Sequence, residues 1–97
     1  MAHCSLDDLR DLRGLLDAVG SWPGVQEPRP GVFYVKRTPF LHFHRDGSGR
    51  RWADARDGRD WGDEIDVPRE AGTAAQRRVR REIERRYRST ARELGLA

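Results

Sequence analysis

The run from Pro39 to Arg56, PFLHFHRDGSGRRWADAR, restricts the fold more than any other part of the chain. Phe40 to His44 is rich in aromatic and branched apolar types, Asp46 to Gly49 is a turn cluster, and Arg51 to Arg56 sets large or charged residues against alanines at period two. This is the pattern of a β-hairpin. Strand side chains alternate faces, so Leu41 and Phe43 point one way and His42 and His44 the other.

Loop length decides what stands beside the histidines. An odd loop, with Gly47 or Gly49 left-handed, places Trp52 and Asp54 on the histidine face and Ala53 and Ala55 with Leu41 and Phe43. An even loop reverses the second strand, because one residue of slip flips every side chain. Glycine placement, and the fit of alanines beneath a helix, favour the odd loop.

Upstream, Ser5 followed by Asp7 and Asp8 opens an amphipathic helix. Leu6, Leu9, Leu12, Leu16 and Val19 carry it at steps of three and four, and Gly20 stops it. Trp22 folds back as a lid on the core. Val25 to Glu27 is a short extended piece, Val32 to Lys36 a strong strand, and Arg37 to Pro39 a turn. After the hairpin, residues 57–63 are turn-rich and Glu64 to Val67 is a short strand. Thr73 to Gln76 has the form of a capping box. Ala75, Val79, Ile83, Tyr87 and Ala91 then mark a long helix, with Gly95 as its C-terminal cap.

The expected fold is therefore α+β: an antiparallel sheet of three to four strands with an N-terminal and a C-terminal helix packed on one face. At 97 residues the chain is a single domain spanning 1–97, with residues 1–4 frayed. Charged residues make up 36%, and the periodic apolar segments suffice for one core. The formal charge of +3 is uneven, because residues 74–97 carry eight arginines against Glu82, Glu84 and Glu93. Lys36 is the only lysine, a bias that a GC-rich genome produces without selection for binding. Cys4 is the only cysteine, which excludes an intrachain disulfide, and no apolar run resembles a signal region or membrane span. A bacterial cytoplasmic protein follows as the simplest expectation.

Three uses of the outer face compete. The first is self-association. A sheet exposing Tyr34, Trp52 and Phe40 would bury them in a homodimer, through a face carrying Tyr34, His42, His44, Trp52 and Asp54. The second is nucleic acid, with the aromatics as stacking platforms or Arg77, Arg78, Arg81, Arg85 and Arg88 of the last helix on phosphates. Against it, Glu82 to Arg86 and Glu84 to Arg88 have the spacing of ordinary helix ion pairs. The third is zinc or another divalent metal held by His42, His44 and Asp54, with His3 and Cys4 available only if a distant terminus swings in. No nucleophile elbow, phosphate loop or metalloprotease motif accompanies these residues, so the expected role is a non-enzymatic binding or assembly module.

The order of elements over Leu6 to Val67, with Trp22-Pro23-Gly24-Val25 and His42-Phe43-His44, resembles two groups of small bacterial domains. These are the YjbR/MmcQ-like proteins, whose fold has been compared with DNA-binding modules, and the small domain of uncharacterised luciferase-associated proteins, which carries a similar histidine strand. The resemblance implies the α+β fold and brings no catalytic motif.

Overall fold

The computed structural model describes residues 2–96. In chain order the elements are β1 (Ala2–His3), a 3₁₀ helix (Asp7–Leu12) running into α1 (Arg13–Gly20), then β2 (Val25–Arg29), β3 (Val32–Val35), β4 (Thr38–Arg45), β5 (Arg51–Asp57), β6 (Asp60–Trp61), β7 (Ile65–Asp66) and α2 (Thr73–Glu93). All strand pairs are antiparallel, in the path β2-β3-β4-β5-β6, with β1 added to β4 and β7 to β5. The sheet thus has seven strands, against the three to four expected. The extra ones are two-residue pieces whose pairing is set by distant neighbours, and they are too short to show a period.

The β4–β5 register pairs His42 with Asp54, Phe43 with Ala53 and His44 with Trp52. Gly49, at φ 92°, supplies the left-handed residue of the connecting loop. One face of the hairpin is therefore Leu41, Phe43, Ala53 and Ala55, each at most 1% exposed. These four share a single apolar cluster with Leu12, Leu15 and Val19, with Phe33 and Val35, and with Val79 and Ile83 of α2. Burying a large apolar side chain of this kind contributes about 1.5–3 kcal/mol, so this cluster is the main stabilising feature.

Two bulges re-aim side chains. Phe33 pairs with Leu41 but Tyr34 pairs with Pro39, so Phe40 is an extra residue in β4 and turns into the core, fully buried against Tyr87. The expectation that Phe40 faces water is corrected accordingly. Likewise Gln26 pairs with Tyr34 and Arg29 with Val32, a slip that brings Arg29 onto the face of Gln26.

The helices differ from expectation at their starts. The first begins as a 3₁₀ segment, opened by reciprocal bonds in which the Ser5 amide donates to Asp8 and the Asp8 amide donates to Ser5 Oγ. The Thr73–Gln76 capping box does not form. Gln76 Nε2 instead donates to the carbonyls of Asp11 and Ala71, tying α2 to the 3₁₀ segment. At the far end Gly95, at φ 79°, closes α2 as expected, with the Leu96 amide on the Ala91 carbonyl. Trp22 lies against Tyr87 at 4.9 Å between ring centres, over the core edge.

Residues 2–4, expected to fray, are instead held down. Ala2 pairs with Arg45 and His3 with His44, and the Cys4 amide donates to the Phe43 carbonyl at 3.0 Å. Met1 lies outside the described residues. None of the described helices is long and apolar enough to cross a membrane.

Candidate metal centre on the histidine face

Opposite the apolar cluster, β4 projects His42 and His44 at i and i+2, and β1 sets His3 beside His44. One ring nitrogen from each of the three lies within 4.8 Å of the other two. The rings of His3 and His44 are stacked at 4.7 Å, and His42 meets both edge-on at 5.5 and 5.8 Å. Around a tetrahedral zinc with Zn–N of about 2.0–2.1 Å the nitrogens would stand about 3.3 Å apart. The ligand atoms would have to draw closer together to hold such an ion, and of the three rings His3, on a two-residue strand, is the exposed one.

His44 is the fixed member, 7% exposed, and its Nε2 lies 3.1 Å from Asp54 Oδ2. With Nε2–H donating to that carboxylate, the lone pair of the ring sits on Nδ1, which is buried and has no hydrogen-bond partner among the described residues. Metal-ligating histidines commonly donate their other N–H to a carboxylate, which fixes the tautomer and raises ligand basicity. Burial, first of all, lowers the pKa of both His42 and His44, the neighbouring imidazoles push the same way, and the Asp54 carboxylate opposes them without reversing the direction. Both rings are thereby biased to the neutral form that a metal requires.

Aromatic side chains frame the cluster. Trp61, which the sequence reading did not single out, lies 5.1 Å from the His42 ring and is itself covered by Arg56 at 4.8 Å. Trp52 lies 5.7 Å from His44 with Arg50 over its ring at 4.6 Å.

The expected site residues are therefore partly regrouped. Tyr34, His42, His44, Trp52 and Asp54 do share the outer face. Asp54 stands behind His44, however, and the third member of the close group is His3. Trp52 is only 5% exposed and Tyr34 is half-buried, so the bare aromatic patch behind the homodimer expectation is not present among the described residues. On α2, Arg85 is engaged by Glu82 and Asp57, and Arg88 by Glu84. Arg77, Arg78 and Arg81 are exposed, and no ion pair holds them among the described residues. His3 left no periodic signal in the sequence, because a two-residue strand is recognisable only once its partner is known.

Compared with known protein families, curated proteins and solved structures, the chain has no match, and its site is read from geometry alone.

Proposed function

We propose that the protein is a metal-binding module that holds zinc or a similar first-row divalent ion through His3, His42 and His44, with Asp54 orienting His44. The single observation that carries this reading is the convergence of three imidazole nitrogens, one of them on a buried ring whose Nδ1 has no partner among the described residues. Imidazole suits zinc, copper, nickel and iron, and three such ligands leave a coordination position open. The face is available for binding because both helices cover the other side of the sheet, a placement supported by the one apolar cluster that α1 and α2 share with Leu41 and Phe43.

Untagged, chelator-treated protein titrated calorimetrically with zinc is expected to take up a single ion per chain. His42→Ala and His3→Ala should each weaken binding severely, and Asp54→Asn should weaken it about 10- to 100-fold while leaving the ligands in place. Zinc uptake that is unchanged in a His42→Ala/His44→Ala double variant would refute the assignment. Gel filtration with and without zinc reports whether the ion also joins two copies.

A further inference from the structure

Beside the histidines lies a groove of about 560 Å³ lined by Gln26, Glu27, Pro28, Arg29, Val32, Tyr34 and Arg37. None of the three histidines lines it, but its Val32 is the cross-strand neighbour of His42. Arg29 pairs with Val32, Val32 with His42, and His42 with Asp54, so these four residues run in one line across the same face. Two strand spacings of about 4.7–4.9 Å separate the backbone of Arg29 from that of His42, within the span of an arginine side chain and a short ligand.

The groove is cationic. Arg29 and Arg37 are exposed, and neither forms an ion pair among the described residues, although most of the chain's acidic groups already hold an arginine. The one carboxylate in the groove, Glu27, is engaged by the Gly31 amide at 3.0 Å. Both arginines are also placed by irregular backbone. The β2 bulge brings Arg29 onto this face. Arg37 stands in a two-residue turn with Lys36, at φ 73° and 48°, where an Asn-Gly pair would fit without strain. Residues kept in the left-handed region despite a Cβ are concentrated at binding sites.

We infer that this groove recognises the anionic group of a small organic ligand, a carboxylate or a phosphate, whose second donor atom binds the ion held by the histidines. The inference rests on the metal reading above. Arg29 and Arg37 supply the charge-assisted bonds, Tyr34 and Val32 supply the wall, and the open coordination position takes the other end of the ligand.

The experiment uses glutarate and 3-phosphonopropionate as two-ended probes and butyrate as the one-ended control, titrated into zinc-loaded and zinc-free protein. Zinc content is measured in every sample before a probe is added, so a failure to hold zinc is seen separately and counts against the metal reading alone. With zinc bound, at least one two-ended probe is expected to bind about tenfold or more tightly than to zinc-free protein, and an Arg29→Gln/Arg37→Gln variant that retains zinc should lose about tenfold or more. If 3-phosphonopropionate is preferred over glutarate, and the preference disappears in the Arg29→Gln/Arg37→Gln variant, the groove takes the phosphonate end; if it persists there, the ion does. Binding that ignores the two arginines, equal binding of butyrate, or equal binding with and without zinc in a protein that holds the ion would each overturn the inference.

Discussion

Buried arginine and buried histidine are treated in opposite ways in this molecule. Arg51, 2% exposed, donates to both carboxylate oxygens of Asp11 and to the carbonyls of Asp8, Val67 and Pro68. Arg86, 6% exposed, donates to Glu82 and to the carbonyls of Ala55 and Asp63. Each guanidinium stitches loops and strands together and has bonds in several directions. His44 is equally buried yet one of its nitrogens has no partner among the described residues, and neither has the indole N–H of the facing Trp52. Native structures rarely leave such groups unmatched. The contrast separates polarity that builds the fold from polarity that, on the proposed reading, a bound ion would engage.

The largest test of that contrast is Asp11→Ala. It strands the Arg51 charge in the interior and should cost about 3–5 kcal/mol in urea unfolding, the usual penalty for removing one partner of a buried pair. A loss under about 1 kcal/mol would mean that Arg51 is not part of the framework.

A smaller effect is expected in acid. Arg85, and with it Arg86, holds the Glu82 carboxyl down to about 2 from its ordinary 4.5. Because the folded-state pKa is depressed, the stability linked to Glu82 is complete above about 4.5 and is lost as pH falls through that value toward 2. Glu82→Gln should therefore flatten the acid limb of thermal unfolding measured across that window. Equal slopes in both proteins would remove Glu82 from the network.

The smallest expected change sharpens the comparison from the other side. His44→Leu deletes a bond to a partly exposed Asp54 together with the unmatched Nδ1, and should shift stability by less than about 1 kcal/mol while abolishing zinc uptake. A loss on the scale of Asp11→Ala would show that His44 belongs to the framework after all.

What could be read in advance was whatever repeats. Leu9, Leu12 and Val19 announced the first helical region, Val79 and Ile83 announced α2, and Gly47 or Gly49 pointed to an odd loop, the register that carries Trp52 and Asp54 to the histidine side. What escaped depends on partners far along the chain. Phe40 and Arg29 change faces at bulges that leave no mark in the hydrophobic pattern. His3 gained its place from two backbone pairings with β4, and Trp61 from a hairpin that joins β6 to the end of β5. Two ligands of the candidate centre, His42 and His44, were thus legible as a strand motif, and the third, His3, existed only as topology.

The first strand has a reverse side. His3 faces the candidate centre, and the very next residue, Cys4, is 6% exposed within the apolar cluster, where burial pushes its thiol pKa up. An ion gripping the imidazole would clamp the sulfhydryl behind it. Occupancy on one surface of the sheet would then be audible on the other, as the slowing of thiol alkylation at a position the ion never touches.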